Sequence, residues 1–146
     1  MKTRISLLFS LLVLGIFAAL PAGAADGTKA EDEEGTIPGI TLTRPSGTYL
    51  GLEIVSGNFK LSFYDDKKKP VAVDDAVARA TARWDNKQKL GSDFTVMNRS
   101  DDGKALVGVK FVRPPYNFIV FLNLLNAAGE VVESHPVNMM TAKREG

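Results

Sequence analysis

The sequence predicts an all-β domain, an antiparallel sandwich, on three observations. Apolar residues alternate with period two in several runs, polar turn clusters separate those runs at short intervals, and no run keeps a helical period. Phe59, Leu61 and Phe63 share one face while Lys60, Ser62 and Tyr64 take the other. Ala78, Ala80, Ala82 and Trp84 alternate with Val77, Arg79, Thr81 and Arg83. Ala105, Val107, Val109 and Phe111 form a third set, opposed by Gly108 and Lys110. A helix would scatter these charges around its circumference. Alanine favours helix, but the two-residue spacing of Arg and Thr and the terminal Trp84 predict a strand for the Ala-rich run.

Turn chemistry sets the boundaries. Asp65-Asp66-Lys67-Lys68-Lys69-Pro70, Asp85-Asn86-Lys87, Asn98-Arg99-Ser100-Asp101-Asp102-Gly103, Arg113-Pro114-Pro115 and Asn126-Ala127-Ala128-Gly129 are rich in the residues that stabilise reversals. The strands then fall near 40–44, 48–55, 58–64, 70–73, 76–85, 93–98, 104–112, 117–125 and 130–138. The strand at 117–125 is apolar on both faces, which predicts a central position covered on both sides. Its expected partner is 130–138, across the tight turn at Ala127-Ala128-Gly129.

The ends of the chain read differently. Met1-Lys2-Thr3-Arg4 is basic, residues 5–20 are apolar apart from Ser6, Ser10 and Gly15, and Pro21-Ala22-Gly23-Ala24-Ala25 offers small residues for cleavage after Ala24 or Ala25. That order is a secretory signal peptide, and its apolar run is short of the roughly 20 residues of a membrane-spanning helix. The expected organisation is a signal peptide at 1–24, a disordered acidic tether at 25–35, a β-sandwich domain at 36–140 and a short tail at 141–146. Residues 26–35 contain no large apolar side chain, so they cannot offset the entropy of ordering. No Cys follows the small residues to carry a lipid anchor. The mature protein is expected to be periplasmic or secreted, off the membrane after cleavage; export without cysteine fits a bacterial periplasm.

Composition excludes several classes of function. The chain has 18 Lys+Arg against 17 Asp+Glu, which does not suit a nucleic-acid binder. The absence of Cys removes disulfides, thiolate metal sites and a Cys nucleophile, and a single His removes any site needing two imidazoles. The sequence shows no G-x-S-x-G elbow and no phosphate loop. Two carboxylates could hydrolyse a glycoside, but so small a domain leaves little room for a cleft. No catalytic residue and no cofactor are therefore expected. Asn98-Arg99-Ser100 matches a glycosylation acceptor, a triplet without meaning in a bacterial protein.

Tyr116-Asn117-Phe118-Ile119-Val120-Phe121-Leu122-Asn123-Leu124-Leu125-Asn126-Ala127-Ala128-Gly129-Glu130 resembles the penultimate strand and final hairpin of fibronectin type III domains. Trp84, closing an alternating strand, is similar to the core Trp of such sandwiches, and like them the domain lacks a cross-sheet disulfide. The Tyr-to-Asn spacing is longer than in that family, and Trp84 lies closer to Tyr116. Residues 59–71 resemble the first hairpin of carboxypeptidase-regulatory-like and other bacterial immunoglobulin-like modules. Both resemblances imply an immunoglobulin-like antiparallel β-sandwich of about seven to nine strands. Neither implies a function, because that architecture hosts many.

Candidate sites are few. His135 lies close to Met139 and Met140, and imidazole with thioether suits copper. The bland alternative is a surface His near a strand end beside ordinary apolar methionines. Asp65-Asp66, Asp74-Asp75 and Asp101-Asp102 could offer oxygens to calcium, although Asp at a turn more often bonds its own backbone. Lys67, Lys68 and Lys69 could bind anionic lipid or polysaccharide, against the reading of a solvated hairpin tip. Arg79 and Arg83 could form a basic stripe on an outer strand face, against pairing with cross-strand acids. Trp84, Tyr49, Tyr64 and Tyr116 could line a carbohydrate platform, against core and edge packing.

The expected function is an exported, non-enzymatic binding or accessory module whose partner is another envelope protein, met through a sheet face or an edge strand. The alternatives are a periplasmic copper-handling protein using His135, Met139 and Met140, and a small glycan-binding module. Expressed with its leader in a bacterium, the protein should appear in the periplasm with Ala25 or Asp26 at its N-terminus. Intact-mass spectrometry that finds Met1 retained in the membrane fraction would contradict this.

Overall fold

The computed structural model describes residues 34–85 and 91–140. The leader, residues 25–33 of the acidic segment, residues 86–90 of the turn after Asp85 and the tail lie outside the described residues. Among the described residues there are nine antiparallel strands: β1 Ile40–Thr43, β2 Tyr49–Val55, β3 Asn58–Tyr64, β4 Pro70–Val71, β5 Arg79–Asp85, β6 Ser92–Arg99, β7 Ala105–Gly108, β8 Ile119–Leu125 and β9 Val131–Asn138. They hydrogen-bond in one continuous path, β1-β2-β3-β7-β6-β5-β8-β9, with the two-residue β4 attached to β3. All nine expected strands exist, and the Ala-rich run is a strand, as its two-residue spacing predicts.

Local chemistry makes the hairpins. Between β2 and β3, Ser56 and Gly57 have φ of 52° and 81°, the paired left-handed conformation that matches the twist of a two-residue hairpin. A Cβ on Gly57 would run into the ring of Phe111, so the position also needs glycine for space. Between β8 and β9, Asn126 Oδ1 accepts from the Glu130 N–H, and Gly129 turns the chain at φ 84°.

The core forms where inward faces meet. Phe59, Leu61 and Phe63 of β3 and Leu50 and Leu52 of β2 pack into one cluster with Ala80, Ala82 and Trp84 of β5 and Val120, Leu122 and Leu124 of β8. Trp84 is 3% exposed. Its ring meets Phe59 edge-on at 5.2 Å and stacks on Phe118 at 6.0 Å. The small alanines beside it leave the room that the indole fills.

Two expectations about strand faces fail. In β7 the inward residues are Leu106 and Gly108; Val109 and Phe111 lie exposed beyond the strand's end. The three residues 105–107 are apolar on both parities, so pairing decides between them, and Leu106 sits opposite the inward Leu61. β8 is flanked by β5 and β9 but lies next to the end of the path rather than at its centre, and it is not covered on both sides. Its outer residues Ile119 and Phe121 are 47% and 50% exposed.

Because Trp84 joins β3, β5 and the start of β8, Trp84→Ala should destabilise the fold by about 3–5 kcal/mol, the range for a buried large aromatic. Urea unfolding of the variant measures this. The wild-type emission should be blue-shifted and resistant to iodide; a red, readily quenched emission would place the ring in water instead.

Candidate functional site

The uncovered face belongs to β6, β5, β8 and β9, and register assembles it. Arg83 pairs with Phe94 on one side and Phe121 on the other, and Phe121 pairs with Pro136. One straight cross-strand row therefore reads Phe94, Arg83, Phe121, Pro136. Phe94 is 52% exposed, and the two phenyl-bearing positions stand about 10 Å apart, two strand spacings. The next row runs Val96, Thr81, Asn123 and Ser134 and is polar apart from Val96, with Ser134 Oγ donating to Asn123 Oδ1 at 2.7 Å. Beyond it lie Asn98, Arg79 and Leu125.

The outward residues of these four strands include no lysine and no glutamate, and Asp85 is the single acid. Arg79 and Arg83 are exposed and make no ion pair or side-chain hydrogen bond among the described residues. Of the two readings of this stripe, pairing with cross-strand acids therefore fails: the immediate neighbours of Arg83 are aromatic rings.

The facing of β6 contributes Phe94 and Val96 to this surface. Asp93, Thr95 and Met97 point inward while Phe94 and Val96 point out. The buried Asp93 carboxylate is met by Lys110 Nζ at 2.6 Å, and the same ammonium lies 6.0 Å from the Trp84 ring centre. An inward Asp stabilised by a cation leaves the outward parity to Phe94.

A second cluster sits where the ends of the sheet path meet. Arg44, just past β1, sends Nη2 to Glu133 Oε1 of β9 at 2.6 Å and Nε to both Glu133 oxygens at 3.1 and 3.2 Å. Its Nη2 also reaches Asp74 Oδ2 at 3.1 Å, and its guanidinium lies 5.4 Å from the Phe63 ring centre. His135 Nε2 stands 3.2 Å from Glu133 Oε2. The side chains of Arg44 and Glu133 are only 9% and 15% exposed. The hydrogen bonds to Glu133 raise the Arg44 pKa above its ordinary value. Burial pushes Glu133 upward, but the bonds from Arg44 and His135 outweigh it and hold the carboxyl below its ordinary range. Asp74 is held low first by the Ala76 N–H and then by Arg44.

The residues singled out from the sequence are distributed otherwise. His135 joins the Arg44 network, Met139 is buried in the core cluster, and Met140 is half exposed. The three are thus in three different surroundings. Among the described residues no group of three or more His, Asp or Glu side chains could hold a metal ion. The acidic pairs serve turns: Asp65 Oδ1 accepts from the N–H of Lys67 and Lys69, Asp74 Oδ1 from Ala76, and Asp102 Oδ1 from Lys104. Lys68 folds back onto Glu34 at 3.1 Å and over the Tyr49 ring. The four-residue aromatic platform is not formed, because Trp84 and Tyr64 are buried and Tyr49 and Tyr116 are half-buried. Among the described residues the exposed aromatic rings are Phe94, Phe111 and Phe121. No family of known proteins, no curated protein and no solved structure matches the chain.

Replacing Arg44 with Met removes one partner of a largely buried pair and should destabilise the protein by about 3 kcal/mol near neutral pH. Depressed carboxyls stabilise the fold above their ordinary pKa values, and this contribution is lost as pH falls through the lower folded values. Wild-type stability should therefore decline steeply below about pH 5, and the Arg44→Met protein should decline less over the same range. Chemical denaturation across that range measures both. Parallel acid limbs would show that the pair does not set the carboxyl titration.

Proposed function

We propose that the protein is an exported, non-enzymatic binding module of the bacterial cell envelope, and that its partner is another envelope protein. The observation that carries this reading is the outer face of β6, β5, β8 and β9, where Phe94, Phe121 and Ile119 stand about half exposed beside Arg83. Contiguous exposed apolar surface on a small domain marks an interaction site. Aromatic residues and arginine are enriched, and lysine and glutamate depleted, at protein–protein contacts. This face has that composition.

The export signal supports an envelope location. The non-enzymatic reading is supported by the lack of Cys and by a sole His, which Glu133 holds.

The proposal includes an immunoglobulin-like architecture, and two observations support it. With β2, β3, β5, β6, β7, β8 and β9 taken as strands A, B, C, C′, E, F and G, the path contains the immunoglobulin neighbours A-B-E and C′-C-F-G. Trp84 also lies on the strand, C, that carries the buried Trp of immunoglobulin domains. The proposed binding surface is then the outer face of the C′-C-F-G layer.

Photoreactive benzoylphenylalanine in place of Phe94 or Phe121 should give discrete adducts with an identifiable envelope protein when the host cells are irradiated. The same probe in place of Val55, an exposed apolar residue away from this face, should give none. Phe94→Ser and Phe121→Ser should each cost about 1–2 kcal/mol, since each ring is about half buried, which is below the cost of Trp84→Ala and leaves the variants folded. Absence of protein adducts from both positions would overturn the reading.

A further inference from the structure

The two ends of the sheet path are blocked. β9 carries Pro136 within it, and Glu133 and His135 lie on its inward parity. Proline and inward charge are the devices that prevent another strand from adding to an edge. The other edge, β1, is four residues long and is followed by the engaged Arg44 and by Pro45. Association through strand addition is disfavoured at both path ends. The first half of β6, which β7 does not pair, carries the inward Asp93 with Lys110 against it, another edge device, so the outer face is the broadest surface left.

Charge then selects what can cover the face. Burying Arg79 and Arg83 under a partner removes water from two guanidinium groups that make no ion pair among the described residues, with Asp85, two residues from Arg83, the single acid on the face. Such burial is tolerated only where the partner supplies carboxylates. A second copy would bring two more arginines and a single Asp85 from the matching strands, so like charge would face like. The acidic segment of this chain, residues 26–35, has carboxylates but no large apolar side chain to cover Phe94 and Phe121. Resting on the binding-module reading, we infer that the face receives a protein surface whose apolar side chains are flanked by carboxylates. The acidic groups would meet Arg79 and Arg83, whose positions along β5 lie about 14 Å apart at four residues of strand rise. The apolar groups would fill the space over Phe94, Phe121 and Ile119. The hydroxyl and amide row of Thr81, Asn123 and Ser134 lies between the two arginine rows and provides neutral hydrogen bonding there.

The test uses benzoylphenylalanine in place of Ile119 in the full chain, with Arg79 and Arg83 varied one at a time. The expected result is an adduct whose cross-linked partner peptide contains Asp or Glu close to apolar residues. Its yield should fall about tenfold or more in Arg79→Glu and Arg83→Glu, consistent with loss of a desolvated charge pair. Changing the partner's acids to Lys should restore the yield with those same variants. An adduct with equal yield in the Glu variants would overturn the charge-complementary partner and leave the binding module standing. Adducts only with a second copy would overturn the inference and assign the face to self-association. If no protein adduct forms, both readings fall. In that case Arg83-dependent binding of alginate or heparin would assign the face to an acidic polysaccharide.

Discussion

Trp84 lies between Phe59 of β3 and Phe118 at the entrance to β8, and this contact fixes which way β5 faces. β5 is paired on both sides, in register with β6 through all seven of its residues and with β8 through six. With the indole and the two alanines inward, Arg79 and Arg83 must be outward, because side chains alternate strictly along a strand. A slip of one residue would bury two guanidinium groups and expose the indole, so the register is strongly specified. The pairing then transmits the same parity to the neighbours. Phe94 and Phe121 are outward because they are partners of Arg83, and Met97 and Leu124 are inward because they are partners of Ala80. The interior and the exposed face are therefore consequences of one packing arrangement.

The Arg44 network solves the complementary problem at the ends of the path. β1 and β9 are not hydrogen-bonded to each other, but a forked guanidinium spans from one to a carboxylate on the other. A bidentate charge-assisted bond of this kind fixes geometry as well as adding energy. Phe63 below and Asp74 beside it complete the surroundings of the cation, so its burial leaves no unmet polar atom. The same contact places charge on the inward parity of the β9 edge. One interaction thus brings the path's ends together and protects an edge from foreign strands.

How much of this was legible in the sequence follows from how local each signal is. The strands and turns were, because period-two patterning and turn residues act over a few positions. The facing of β5 was also legible, since only one parity of that strand is apolar. The facing of β7 was not, because Ala105, Leu106 and Val107 are all apolar and the choice is made by Leu61 on another strand. For β8, apolarity on both faces suggested double burial, yet its outer residues Ile119 and Phe121 stand about half exposed, and nothing local in the sequence separates the two cases. The outer stripe of Arg79 and Arg83 was visible, while Phe94 and Phe121 became part of it only through register. Arg44 had no local signature, as its partner Glu133 is 89 residues away.

The choice of arginine at the centre of the exposed row bears on how such a face stays single. A strip of phenyl, proline and aliphatic groups on an open sheet would by itself favour stacking of copies through non-directional apolar contact. Setting guanidinium groups within the strip gives that contact a charge requirement. Guanidinium is more weakly hydrated than ammonium and lies flat against aromatic rings, so it can remain in an interface that a lysine would disfavour. Without carboxylates opposite, the same groups resist desolvation and the face stays in water. With carboxylates opposite, they contribute directional bonds to a surface whose remaining contacts are apolar and unselective. On the proposed binding reading, specificity would come as much from the partners that Arg79 and Arg83 reject as from the one they accept.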